Sequence, residues 1–262
     1  PGLDFETQLV ARPEAPEVLR QELSRRGYKV APIAIGTNTD PYQPIERDLG
    51  VMRGILEVLQ EFRHPVGIVT KGVLVERDIG LLAEMAADGL AKVGISVTTL
   101  DPELSRRMEP RVPAPARRLK VIERLAAAGI PVRLMASPII PGLTDHEIER
   151  LVQAGAEAGA RAASMITLRL PLEVGPLFRD WLETHMPDRA GRVMARVREM
   201  QGGKAYSSEY GTRMTGTGVY ADLLQKRFAR ARRAHGLAKE LPPLRCDLFA
   251  VPLARGDQLS LF

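Results

Sequence analysis

Five short, nearly continuous apolar runs recur along the chain: residues 30–36 (VAPIAIG), 65–70 (PVGIVT), 92–98 (KVGISVT), 130–136 (IPVRLMA) and 162–168 (AASMITL). Unbroken runs of this length, rather than alternating ones, are what parallel strands buried on both faces require. The segments between them read as amphipathic helices with recognisable ends. Pro115 opens PARRLKVIERLAAAG, in which Leu119, Ile122 and Leu125 share one face and Gly129 supplies a left-handed stop. Thr144 and Glu147 have the spacing of a capping box ahead of IERLVQAGAEAG.

Repetition of strand and helix predicts an α/β fold with a right-handed parallel (βα) array, a barrel or an incomplete one, with a doubly wound sheet as the other arrangement. The count favours the open barrel: five strand-helix units are visible, and a helix-like segment at 13–26 precedes the first strand, as if an earlier strand had been cut away. After residue 174 the pattern changes to longer helices and a Gly-rich stretch, YGTRMTGTG at 210–218. The expected organisation is therefore a partial barrel over 1–174, a basic helical extension or cap over 175–240, and a tail over 241–262.

Composition narrows the chemistry. A chain of 262 residues is long enough to bury about 70% of its unfolded surface without staples. Cys246 is the only cysteine, so neither a disulfide within the chain nor a thiolate cage for a metal can be assembled from these residues. No signal core and no apolar run of membrane-spanning length is present, and the chain reads as soluble and cytoplasmic. It begins at Pro1 without a methionine, the pattern of a fragment or a processed chain. Charge is uneven: residues 1–174 carry 22 Lys+Arg against 23 Asp+Glu, whereas 175–240 carry 13 against 7. The basic segment suits either a phosphate-bearing partner or a solvated helix face.

In parallel arrays ligands meet the carboxyl ends of the strands. Here the strand ends are oxygen-rich: Thr37, Asn38, Thr39 and Asp40 after the first, Thr70 and Lys71 after the second, Ser96, Thr98 and Thr99 in the third, SPIIPG in the fourth, and Thr167 and Arg169 in the fifth. Each alone reads as a cap or turn residue; together they form a polar ring without histidine or cysteine, and a buried Lys71 would need a partner.

The order T-x-T-D, T-K, S-x-T and P-x-I-P-G, with GTNTDPYQPIE, RRMEPR and YGTRM, resembles the radical S-adenosylmethionine (SAM) enzymes, in particular the spore photoproduct lyase-like branch. The resemblance implies a (βα)6-type partial TIM barrel with SAM bound across the strand ends, and a lyase-like reaction through a 5′-deoxyadenosyl radical acting on nucleic acid, as in DNA repair. Carried over by position, it implies that Thr37, Thr39 and Asp40 meet the methionyl end of SAM, Lys71 its carboxylate, Ser96 and Thr98 the ribose, and Ile140 the adenine. From their own chemistry, Tyr42, Arg111, Arg169, Tyr210 and Arg213 are candidate substrate contacts, aromatic and basic groups able to clamp a nucleotide, with an exposed turn at RRMEPR and buried tyrosines as the plainer reading. The family also carries a [4Fe–4S] cluster on a CxxxCxxC loop after its first strand; this sequence begins downstream of that position, so the implied parent is a radical enzyme and this chain an inert part of it. The related lyases place a hydrogen-donating cysteine where Thr37 stands, so repair of the spore thymine dimer is not implied.

Two other readings follow from the residues. Lys71 could act as a Schiff-base nucleophile in a (β/α)-barrel lyase, with Asp40 or Glu46 as acid/base. Alternatively the chain is a non-catalytic adaptor on DNA. The tail favours a DNA-side partner: Gln258, Leu259, Ser260, Leu261 and Phe262 resemble the peptide that binds the bacterial sliding clamp, with Leu261 and Phe262 filling an apolar pocket and Gln258 bonding at its rim. A terminal segment docked on its own domain is the plainer reading.

Overall fold

The computed structural model describes residues 9–206 and 208–252. Five strands, β1 (Ile33–Ile35), β2 (Val66–Thr70), β3 (Ala91–Ser96), β4 (Val132–Ile139) and β5 (Ala162–Thr167), form one sheet in sequence order. All four pairings are parallel, and the sheet is not closed. This is the expected partial barrel, and each strand falls within or within three residues of its apolar run.

The helices are α1 (Ala15–Leu23), α2 (Glu46–Leu49), α3 (Val51–Glu61), α4 (Ile79–Ala87), α5 (Pro102–Met108), α6 (Pro115–Ala127), α7 (Ile148–Glu157), α8 (Val174–His185), α9 (Pro187–Met200) and α10 (Gly218–Ala234). Helix α6 starts at Pro115, whose missing N–H costs nothing in the first turn, and stops before Gly129 at φ 81°. Its Val121, Ile122 and Leu125 are buried against the sheet.

The capping box does not form. A 3-10 turn, Asp145–Glu147, precedes α7, and both box residues are used elsewhere. Thr144 Oγ1 accepts from the Ile140 amide at 2.9 Å, while the Glu147 carboxylate accepts from Thr99 Oγ1 and the Leu100 amide. Thr144 braces the turn after β4, while Glu147 ties the exit of β3 to the start of α7, a tertiary use that outweighs the local cap.

Alternation along the strands gives the sheet two faces. Ile68, Val93, Ile95, Val132 and Leu134 point outward into the main core with Leu56, Leu82, Ile122 and Leu151 from the helices. The other face lines the concave side of the barrel. A second core, Leu104, Ile140, Leu143, Leu170, Leu182, Val193, Met194 and Val197, seats α8 and α9 on the exits of β3, β4 and β5. Beyond α10 the chain runs along the opposite, amino-terminal ends of the strands: the Ala163 amide donates to the Ala238 carbonyl, Arg245 N to Gly89 O and Ala250 N to Phe62 O. Phe249 rests there on Tyr28, Phe62 and His64.

A cavity of about 350 Å³ lies between α1 and the outward residues of β1 and α3, lined by Val18, Leu19, Ile33, Ile35, Ile55 and Leu59. Its wall is mainly apolar, with Arg12, Glu14 and Glu22 also lining it, and it lies on the outer side of the sheet, away from the polar strand ends.

Candidate functional site

The loop after β1 is pressed onto β2 by a backbone contact. Gly36 has φ 93°, and a Cβ there would lie 1.9 Å from the Val69 carbonyl oxygen, so only glycine can occupy this crossing. Four residues on, the Asp40 carboxylate accepts three hydrogen bonds: from Tyr42 N at 2.9 Å, Thr70 Oγ1 at 2.6 Å and Lys71 N at 2.7 Å. Asp40 thus fastens its loop to the tip of β2 with most of its acceptor capacity. Thr37 and Thr39 stand exposed on the same loop. Their hydroxyls, with what remains of the Asp40 oxygens, are the acceptors this loop can offer an ammonium group.

Lys71 Nζ donates to the Glu109 carboxylate. The other Glu109 oxygen accepts from Thr98 Oγ1 at 3.1 Å and Arg118 Nη2 at 2.7 Å. Arg118, 1% exposed, also donates to the Pro113 carbonyl at 2.6 Å, the Ser96 carbonyl at 3.2 Å and Ser105 Oγ at 3.4 Å. One carboxylate therefore joins the tips of β2 and β3 to α6. Burial works to raise the Glu109 pKa, but the neighbouring Lys71 ammonium and Arg118 guanidinium outweigh it and hold the carboxyl below its ordinary value.

Beneath this layer lies a second ionic group. Tyr42, 4% exposed, donates its hydroxyl to Asp78 at 3.1 Å. Asp78 also receives Arg77 Nη2 at 2.9 Å, and Glu46 receives Arg77 Nη2 at 2.8 Å and the Met52 amide at 3.0 Å. Burial first, then the adjacent Asp78 carboxylate, raises the Tyr42 pKa far above that of a free phenol. Tyr42 is thus part of the support under the Asp40 loop, and its ring does not face a cleft as a substrate contact must. Glu46 is likewise committed to Arg77 and a backbone amide, which removes it as acid/base partner for a Schiff-base lysine.

On the far side, Ile140 is fully buried in the second core, so its backbone, not its side chain, borders the strand ends. The tip of β5 is closed by the Gly-rich loop: Thr167 N and Oγ1 both donate to the Met214 carbonyl, at 3.0 and 3.1 Å. Arg169 Nη2 donates to Tyr206 Oη at 3.2 Å. Arg213 lies over the Tyr210 ring at 5.6 Å, and that ring is 90% exposed. Arg111 is exposed just beyond Glu109. The tail residues Gln258, Leu259, Leu261 and Phe262 lie outside the described residues.

Of the expected SAM contacts, the structure joins Asp40, Lys71 and Thr98 in one hydrogen-bonded set and adds Ser96 through its carbonyl. Sequence reasoning missed Arg118. Its signal was present: an arginine at 118 shares the apolar face of Ile122 and Leu125, a position that only a paired guanidinium tolerates.

Residues 8–154 match the radical SAM superfamily. The chain belongs to this superfamily. Uncharacterized proteins of Mycobacterium tuberculosis and Mycobacterium bovis are each 37% identical over 202 residues, 76% of this chain and 58% of theirs. An uncharacterized protein of Methanocaldococcus jannaschii is 32% identical over 115 residues, covering 44% of this chain and 43% of its own. The chain thus spans little more than half of the mycobacterial relatives. Among solved structures, a variant of spore photoproduct lyase superposes with TM-score 0.60 at 16% identity, covering 85% of this chain and 64% of the lyase. Streptococcus suis SuiB bound to S-adenosylmethionine superposes with TM-score 0.53 at 16% identity, covering 93% of this chain and 46% of SuiB. At such identities the likeness establishes the fold alone.

The donor set differs for the two groups of this superfamily. Exposed hydroxyls, a carboxylate and a lysine at adjoining strand tips suit the amino-acid end of SAM. A [4Fe–4S] cluster needs three or four thiolates, and Cys246 is the sequence's single cysteine; among the described residues no group of three His, Cys, Asp or Glu could hold a metal. Cluster ligands would have to come from outside these 262 residues. Among the described residues no helix is long and apolar enough to cross a membrane.

Proposed function

We propose that this chain is the SAM-binding part of a radical SAM enzyme that acts on nucleic acid. The supporting observation is the Asp40–Thr70–Lys71 and Lys71–Glu109–Thr98 network, which sets an exposed hydroxyl loop beside an ammonium at the strand tips. Thr37, Thr39 and Asp40 receive the amino group of SAM, and Lys71 turns its ammonium to the carboxylate. Ser96 and Thr98 border the ribose, and the backbone around Ile140 the adenine. These residues do not supply the cluster's ligands, so by itself this chain binds SAM without cleaving it. The nucleic-acid reading rests on Arg169 beside Tyr206, and Arg213 on the exposed Tyr210 ring, at the exit of β5. Paired arginines and aromatic rings of this kind stack bases and neutralise phosphates. The QLSLF tail adds a sliding clamp as partner.

A Schiff-base role for Lys71 fits less well. A nucleophilic amine must be free to reach a carbonyl carbon, whereas Lys71 Nζ is engaged by the Glu109 carboxylate.

Isothermal titration with SAM is the direct test. Binding that weakens at least about tenfold in Lys71→Met and Asp40→Asn is the expected result. Absence of SAM binding, or borohydride trapping of a carbonyl compound on Lys71, would overturn the proposal.

A further inference from the structure

The concave face of the sheet is basic, and nothing described neutralises it. Pairing in a parallel sheet puts partnered residues on the same side. Gly67 pairs with Lys92, Gly94 with Arg133, Arg133 with Ala162, and Met135 with Ser164, so all of these share one face. That face is the inner one. Leu134, the neighbour of Arg133, points the other way, within 3.1 Å of a Cβ built on Gly155 of α7.

Along this inner face, Lys92 and Arg133 stand on neighbouring strands, both half-buried. Neither side chain makes a hydrogen bond or ion pair with any described residue, and no strand places a carboxylate beside them. Arg133 Nε is buried without a partner, and so is Ser164 Oγ, two positions along β5 from the residue facing Arg133. Ser137 Oγ, further up β4, is a third such atom. Gly67 and Gly94 keep the floor low: the Lys92 stem passes 3.8 Å from a Cβ built on Gly67, and Met135 Sδ lies 2.8 Å from one on Gly94.

Half-buried cations on neighbouring strands without counter-ions, and buried donors without partners, are each costly. All of these groups can donate, so the ligand that satisfies them presents oxygens and negative charge. We propose that Lys92, Arg133 and Ser164 form an oxyanion site for a phosphate group inside the barrel. The site lies about 13 Å of strand below the tip marked by Ser96. A nucleotide phosphate held there by side chains reaching upward leaves sugar and base to extend toward the strand tips. As a subsite for substrate this rests on the radical SAM reading; as a phosphate site it stands without it.

The test is titration of the full chain with inorganic phosphate, a nucleoside monophosphate, acetate and a single-stranded oligonucleotide, followed by calorimetry and thermal shift. The nucleoside monophosphate should bind, phosphate more weakly, and acetate least. Lys92→Gln and Arg133→Gln should each weaken nucleotide binding at least about tenfold while SAM affinity stays within about twofold. If Arg133→Gln fails to fold by circular dichroism, Lys92→Gln alone decides, since its amine is not part of the core. Equal nucleotide affinity in wild type and the decisive variant, or no binding by any phosphate compound, would overturn the site. Binding by the oligonucleotide alone, unaffected at Lys92, would place phosphate recognition on the rim and also overturn it. Phosphate binding without SAM binding would leave this site standing and remove the proposed function.

Discussion

Glu109 receives the Lys71 ammonium on one oxygen and the buried Arg118 guanidinium on the other. A single carboxylate thereby sets the direction of the lysine at the tip of β2 and neutralises an arginine that water cannot reach. Replacing it with glutamine leaves Arg118 charged, buried and short of its counter-ion. Breaking such a pair costs about 3 kcal/mol, so Glu109→Gln should lower the urea midpoint severely. Lys71→Met, acting on a side chain that is 32% exposed, should cost no more than about 1 kcal/mol. Equal losses in the two variants would contradict the assignment of Arg118 as the dependent partner.

The same carboxylate predicts an acid limb. Its folded pKa lies below the ordinary 4.5 because Lys71 and Arg118 prevail over burial. The folded state therefore binds this proton less readily than the unfolded chain, and stability rises with pH through the window. The contribution is complete above about pH 4.5 and disappears as pH falls through the depressed value. Unfolding free energy measured from pH 6 down to pH 3 should flatten in Glu109→Gln relative to wild type. Parallel curves would mean that another group carries the limb.

His64 predicts a second, independent limb. It is fully buried, with Nδ1 at 3.1 Å from the Pro65 carbonyl and Nε2 at 2.9 Å from the Tyr28 hydroxyl. Burial lowers its pKa from 6.5, against a smaller opposing contribution from the Pro65 bond. The neutral ring is favoured in the fold, so its contribution is whole above pH 6.5 and is lost as pH drops toward the folded value. Because Phe249 packs against the His64 ring, amide protection over residues 245–250, taken relative to intrinsic exchange rates, should fall at pH 5 before that of β2. Unchanged protection there would separate His64 from the C-terminal segment.

Gly36→Ala should disable the site more than the fold. The added methyl meets the Val69 carbonyl, and φ 93° is itself unfavourable for alanine. Displacing the loop removes the exposed hydroxyls from beside Lys71. A loss of SAM affinity of at least about tenfold with a stability cost of about 1–3 kcal/mol is the expected outcome. Native affinity would show that the loop does not hold the ligand.

The sheet was legible because its strands are apolar on both faces, a pattern that survives without knowledge of the partners. Asp40 and Lys71 were legible for a different reason: polar residues directly after such runs have only the strand tips to occupy. What the sequence hid was pairing across long separations. Glu147 looked like a local cap until Thr99, 48 positions away, claimed it. Tyr42 sat among plausible ligand contacts, and only the buried Asp78 carboxylate shows why its hydroxyl points inward. The inner-face pair Lys92 and Arg133 was equally hidden, since facing direction depends on strand register.

Residues 238–250 run along the opposite end of the barrel from Asp40 and Lys71. The half-buried Cys246 therefore lies at the rear of the molecule, so a thiol-reactive label attached there would leave the strand tips unobstructed.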